Sequence, residues 1–239
     1  MTEQTTQKKY ELLKDDTVEH FGRTLYRIKA LITFGLVGAG QLGGYIETEK
    51  NLDHSGNAWV YDNAMVYGNA RVFGNAGVYG NAWVFGNAGV YGNARVYGIA
   101  RVFGNAWVYG NAGVLDDAWV CGDARVFDDA RVYGDARVYG DAWVCGDARV
   151  CGDARVCGDA RVRCFAVISE RKMIFWASNV GSENGTLTVF NGKFGLIVTR
   201  GCFTGTVDEF LSKSKEVHDD KTHHEYKLLI EVAQSRILN

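Results

Sequence analysis

Proline is absent from all 239 residues while glycine reaches 30, which excludes Pro-rich linkers and points to many similar tight corners. No charge of one sign dominates. The 26 basic residues face 28 acidic ones, a net charge of −2, so the chain lacks a general electrostatic footprint for nucleic acid or anionic lipid. The polar start from Met1 to Asp16 carries Lys8, Lys9 and Lys14 but no apolar h-region, so no secretory leader is expected. The uncharged stretch Ala30 to Ile46 is seventeen residues long and includes Gly35, Gly38, Gly40, Gly43 and Gly44, too short and glycine-rich to span a membrane. Histidine is missing between His54 and His218, and serine and threonine between Asn57 and Cys164. With 47% apolar and 23% charged residues, wholesale disorder is not expected.

What the chain does contain is a strict repeat. From Asn57-Ala58-Trp59-Val60-Tyr61-Asp62 to Arg161-Val162 the sequence recurs every six residues, with Ala from Ala58 to Ala160 and Val from Val60 to Val162, eighteen times each. Such self-similarity names a solenoid. Ala and Val stand two apart, so in an extended segment both point inward while Ala−1, Ala+1 and Val+1 point outward. The Gly-Asn or Gly-Asp pair that follows supplies a corner, because these residues tolerate left-handed backbone angles. Cys121, Cys145, Cys151 and Cys157 take the place of Tyr or Phe in this repeat. Without a secretory context they predict a reduced, cytoplasmic protein.

Small and aliphatic inward residues at a six-residue period resemble the hexapeptide-repeat, left-handed parallel β-helix superfamily. The resemblance implies three sides and a coil of eighteen residues, so that 57–164 would give six coils, about 29 Å long at a rung spacing of about 4.8 Å. It also implies a homotrimer. The leader His20 to Ala30 with Leu42 to Glu47 is similar to that of uncharacterised bacterial and phage hexapeptide proteins labelled as acyltransferases, a label resting on fold. The expected fold is mainly β, with an N-terminal cap over 1–56, a solenoid over 57–164 and an α+β module over 165–239.

Residues eighteen apart should stack. Tyr61, Tyr79 and Tyr97 then form one outer column, Tyr67, Phe85 and Phe103 a second, and Phe73, Tyr91 and Tyr109 a third. Such ladders stabilise a sheet. With Trp59, Trp83, Trp107, Trp119 and Trp143 beside them, they also offer an adhesive face for a protein partner or for self-association. The corner residue is Asn up to Asn111, except at Ile99, and Asp from Asp117 to Asp159. Residues 57–110 carry three Arg and one Asp, whereas 111–164 carry seven Arg and ten Asp. Asn columns can hydrogen-bond to themselves. Stacked Asp would repel, and Arg two residues away, as in Asp135-Ala136-Arg137, is expected to offset this by ion pairing. Arg125, Arg131, Arg137, Arg149 and Arg155 complete the candidate partner surface; with Arg161 they also admit a nucleic-acid reading, which the neighbouring Asp opposes.

Catalytic chemistry finds little. Acyltransferases of the resembling superfamily use a histidine on or near the solenoid and an excursion loop; here neither interrupts the repeat, leaving His20 and His54 in the cap as candidates for a general base. The same gap removes a three-His zinc site, and no cofactor or metal is expected. A calcium roll needs a nine-residue period. Gly38-Ala39-Gly40-Gln41-Leu42-Gly43 matches G-x-G-x-x-G, with Leu31 to Leu36 as the candidate preceding strand, but no helix and second parallel strand follow before the repeat, so a turn in the cap is preferred.

Beyond the repeat, Phe165 to Ser178 reads as a hairpin turning at Glu170-Arg171. Thr186 to Phe190 and Lys193 to Thr199 read as another across Asn191-Gly192. Thr206-Val207-Asp208-Glu209 is a capping box opening a helix to about Val217. Tyr226, Leu229, Ile230, Ala233 and Ile237 share one face of a last helix. His218, His223 and His224 beside Asp219 and Asp220 read as a polar inter-helix loop in preference to a metal site, and Cys202 as an inert turn thiol. The reading is a non-enzymatic solenoid that binds a protein partner or itself, with a phage-type host-directed inhibitor as a special case.

Overall fold

The computed structural model describes residues 8–239; Met1–Gln7, the first part of the polar start, lie outside the described residues. Every repeat contributes one two-residue strand, Trp59–Val60, Met65–Val66, Arg71–Val72 and so on to Arg161–Val162. Strands eighteen residues apart pair in parallel, as in Arg101↔Trp119 and Val102↔Val120, and the rungs collect into three sheets. The result is a three-sided parallel β-solenoid of about seven turns. Rung-to-rung bonds such as Arg71 N–H to Ala88 O at 2.9 Å and Asn69 N–H to Gly86 O at 2.8 Å join successive coils. All eighteen Ala and all eighteen Val of the repeat are buried, forming one continuous thin core.

The corners need glycine for two reasons. Gly86 has φ +74°, and a Cβ on it would stand 3.0 Å from the backbone N of Gly104 in the next coil. Asp62, Asp116 and Asp128 replace glycine at φ +53°, +56° and +59°. There the carboxylate accepts the N–H of the glycine one coil on, at 2.9 Å for Gly80, 3.2 Å for Gly134 and 3.2 Å for Gly146. A short polar side chain thus makes left-handed geometry tolerable.

The stack is longer than the perfect repeat. Strand β3, Leu42–Ile46, lies parallel on Met65–Val66, and Leu52 bridges Val72. At the other end Val167–Ile168 lies parallel on Arg149–Val150, with Ala166 and Ile168 fully buried. Phe165 to Ser178 is therefore no hairpin: its first half is one more rung, and a 3-10 turn at Arg171–Met173 leads into the next sheet. Ala166 and Ile168 stand six residues beyond Ala160 and Val162, so the inward pattern continues there without the Gly-Asp corner.

Both ends are covered. At the start, β1 (Tyr10–His20) and β2 (Arg23–Ala30) form an antiparallel hairpin that continues through β3 into one solenoid sheet. The β1 edge carries a register shift between Leu13 and Thr17 and the charged run Lys14-Asp15-Asp16, features that discourage further strand pairing. Leu31 to Leu36 is not a strand; it belongs to a loop closed by a bridge between Phe34 and Val37. Asn51 is fully buried and its amide donates to Gly68 O and Ala70 O, satisfying carbonyls of the first full coil. At the far end a four-stranded antiparallel sheet, Ile174–Val180, Gly185–Gly192, Gly195–Arg200 and Phe203–Thr206, meets the last coils. Thr188 Oγ1 accepts from Arg161 N–H, Thr199 Oγ1 donates to Arg161 O, and Asn191 donates to Val167 O.

Within that module the tight turn falls at Lys193-Phe194, two residues beyond Asn191-Gly192, because both of the latter still pair in the sheet. Helix α1, Val207–Val217, opens with the Thr206/Glu209 capping box, and α2, Asp220–Leu238, buries Tyr226, Ile230, Ala233 and Ile237. His223 and His224 lie within α2 and not in a loop, because Asp219 caps the helix by accepting from Thr222 N–H.

Candidate functional site

The eighteen-residue coil sorts the outward side chains onto three faces, so the candidate partner residues do not form one patch. Trp83, Trp119, Arg137 and Arg155 share the first face, and Trp107, Arg125 and Trp143 the second. Trp59, Tyr61, Tyr79, Tyr97, Arg131 and Arg149 share the third.

Trp59 is withdrawn from the candidate surface altogether. It is fully buried, wedged between Tyr10 at 6.0 Å and Phe34 at 5.3 Å, both edge-on. The cap residues that cover it are distant in sequence, so its burial is a tertiary event. Lys9 joins this knot: its ammonium donates to Ala58 O at 2.9 Å, and desolvation lowers its pKa to about 8.

The ring columns stack as the period requires. Tyr67–Phe85 and Phe85–Phe103 have centroids 5.0 and 4.9 Å apart, and Phe73, Tyr91, Tyr109 and Phe127 continue a second ladder at 4.8 to 5.0 Å. In the third column Tyr61 stacks on Tyr79 at 4.4 Å, while Tyr97 is exposed with no ring stacked on it. The Asn corners form amide ladders: Asn57 to Asn75 to Asn93 to Asn111, and Asn69 to Asn87 to Asn105, each step at 2.9 to 3.1 Å. Each ladder ends on an aspartate, Asn111 donating to Asp129 and Asn105 to Asp123.

The expected Arg–Asp ion pairs do not form. Among the described residues no corner aspartate lies within ion-pair distance of a repeat arginine; Asp153 instead meets Arg171 outside the repeat at 3.1 Å. Four repeat guanidinium groups, those of Arg101, Arg125, Arg137 and Arg161, lie over indole rings on neighbouring rungs. Arg101 lies over Trp83 and Trp119 at 4.5 and 5.2 Å, and Arg137 over Trp119 at 4.6 Å. Arg125 and Arg161 lie over Trp143 at 5.2 and 4.0 Å. Flat guanidinium on flat indole uses the rung spacing, whereas corner carboxylates such as Asp123 and Asp129 accept from the Asn ladders. This alternation was recoverable from the sequence by writing out the Ala+1 column as well as the Val+1 column.

The histidine candidates serve packing. The His54 ring stacks on Tyr10 at 4.3 Å and its Nδ1 accepts from Lys9 N–H. His20 sits edge-on to Phe21, Tyr67 and Trp83, and burial lowers its pKa. Its neighbour Phe21, at φ +48°, tips the β1–β2 turn and partly covers Trp83. In the C-terminal module a cavity of about 160 Å³ is lined by Cys202, His218, Arg200 and Lys213, but no hydrogen bond joins Cys202 to His218. Among the described residues no three His, Cys, Asp or Glu side chains group as a metal site, and all six cysteines are free.

The family described as YdcK Beta solenoid repeat matches residues 58–74, 66–80 and 130–146. The fold that this description names is the parallel β-solenoid that the rung pairing shows. No curated protein matches it. The matched segments lie in both the Asn-cornered and the Asp-cornered halves, so one repeat unit underlies them despite the change in surface. Among the described residues no helix is long and apolar enough to cross a membrane.

Proposed function

We propose that this β-solenoid is a non-enzymatic scaffold whose Trp/Arg faces bind a protein partner. The observation that carries this reading is Trp119 held between Arg101 and Arg137, on a regular sheet face where neither guanidinium has a carboxylate partner. Tryptophan and arginine are the residues that dominate interface energetics, and mutual stacking holds them ordered before a partner arrives, which lowers the entropic cost of association. The resemblance to hexapeptide proteins enters through the six-residue period; a second copy of the chain, or a phage-type host target, is a special case of the same surface.

The test compares the wild-type chain with Trp119→Ala/Arg137→Glu by analytical ultracentrifugation, alone and with the proteins it retains from a lysate. A complex of defined mass and stoichiometry that the double variant loses supports the reading. Retention of the same complex by the variant overturns the assignment to this face. Calorimetric titration with acyl-CoA tests the rival acyltransferase: stoichiometric binding, lost on His20→Ala or His54→Ala, would favour the enzyme. A third arm measures binding to a single-stranded oligonucleotide; a steep fall in affinity with salt would favour nucleic acid.

A further inference from the structure

The ring ladder on the first face has one missing member. Tyr67, Phe85 and Phe103 stack rung upon rung, the next position is Cys121, and the one after is Tyr139. Cys121 is the one repeat cysteine with a ring in its column on the adjacent rung at each side: Cys145 is followed by Arg163, Cys151 by Ser169, and Cys157 lies beside the last strand of its sheet. The gap is open. A cleft of about 220 Å³ is lined by Phe103, Trp119, Cys121, Arg137, Tyr139 and Arg155.

The dimensions fit one planar ring. Phe85 and Phe103 lie 4.9 Å apart with planes 1° from parallel. A ring inserted over Cys121 would therefore sit about 5 Å from both Phe103 and Tyr139, inside the range of aromatic stacking. Trp119 closes one side, its ring edge-on to Phe103 at 6.0 Å. The floor is the half-buried Cys121 thiol, whose pKa burial raises. Arg155 supplies polarity at the rim; among the described residues it has neither a ring nor a carboxylate against it, so its donors are free.

We propose that the Cys121 cleft binds a small aromatic anion, its ring completing the ladder between Phe103 and Tyr139 and its carboxylate or phosphate meeting Arg155. The cleft shares Trp119 and Arg137 with the proposed partner face, but its occupant is a small molecule and needs no second macromolecule. The nearby corners Asp117 and Asp135 disfavour a free anion at the rim, so the ring must supply much of the affinity.

The test uses the full chain with 2-naphthoate and phenyl phosphate as probes, and cyclohexanecarboxylate and benzylamine as controls, followed by ligand-observed and Trp side-chain NMR. The expected result is saturable binding of both probes, with probe ring protons shifted upfield and the Trp119 indole N–H perturbed. Cyclohexanecarboxylate should bind at least about tenfold more weakly and benzylamine should not compete. Cys121→Phe fills the gap with the ring found elsewhere in the column, and should abolish probe binding while the melting temperature stays or rises. Cys121→Ala keeps the gap and should keep binding, which guards against misfolding of the larger variant; Arg155→Gln should weaken binding about tenfold. Equal binding to wild type and a folded Cys121→Phe, equal binding of the cyclohexane control, or no saturation at ~10 mM probe overturns the proposal. None of these readouts involves a partner protein, so their failure leaves the scaffold reading standing.

Discussion

The two halves of the solenoid share a core and differ in what holds their surfaces. From Asn57 to Asn111 two corner columns are amide ladders and the Val+1 columns are mostly stacked rings. From Asp117 onward the corners are carboxylates without arginine partners apart from Asp153, and cysteines interrupt the ring columns. The buried Ala/Val pairs are the same throughout. The comparison teaches that the inward pattern suffices for the fold, while the outward positions divide labour: the first half is closed on itself, and the second leaves cations, carboxylates and gaps available to something else.

The largest expected effect tests what anchors the closed half. Trp59→Ala removes a fully buried indole gripped by Tyr10 and Phe34, and should cost about 3–5 kcal/mol in urea unfolding. The equivalent change at the half-buried Trp143 should cost clearly less. Next comes the amide ladder. Asn93→Ala removes the bond accepted from Asn75 and the bond donated to Asn111, and should cost about 1–3 kcal/mol. The converse sharpens the contrast: Asp141→Asn places a donor in the carboxylate column and removes the like-charge repulsion of Asp141 with Asp123 on one side and Asp159 on the other. It should stabilise by about 0.5–1.5 kcal/mol, most at low salt.

The last effect is a pH dependence to which Lys9 contributes from the cap. The folded-state pKa of Lys9 falls from 10.5 to about 8, so between those values the unfolded chain binds more protons and stability rises with pH. The slope from this group is at most about 1.4 kcal/mol per pH unit. Above pH 9 the buried Cys145 thiol, raised to about 11, acts in the opposite sense, as does Tyr61, raised to about 12, above pH 10. The wild-type minus Lys9→Met difference between pH 8 and 9 isolates the lysine and should increase with pH.

Much of this was legible because the period is strict. Eighteen uninterrupted Ala/Val pairs define the inward face and the corner, and counting by eighteen gives the ring and amide columns. The same count would have found Ala166 and Ile168 as a further inward pair, and Cys121 as a gap between Phe103 and Tyr139; both were obscured by reading motifs along the chain instead of down the columns. Trp59 was opaque for another reason: its repeat position is outward, and only the docking of Tyr10 and Phe34 from the cap buries it. The Arg–Asp pairs expected along a strand do not form because the guanidinium groups turn to rings on neighbouring rungs. At about 4.8 Å spacing, the neighbouring rung is where a guanidinium finds a flat ring.

Amide hydrogen exchange, resolved rung by rung, tests the division between the halves most directly. Central rungs on either side of the change, Trp83–Val84 and Gly89–Val90 against Arg137–Val138 and Trp143–Val144, share the same buried Ala/Val core. The account predicts that the earlier pair exchanges at least about tenfold more slowly at low salt, and that added salt narrows the difference. Equal protection in both pairs, or greater protection in the Asp-cornered rungs, would contradict it.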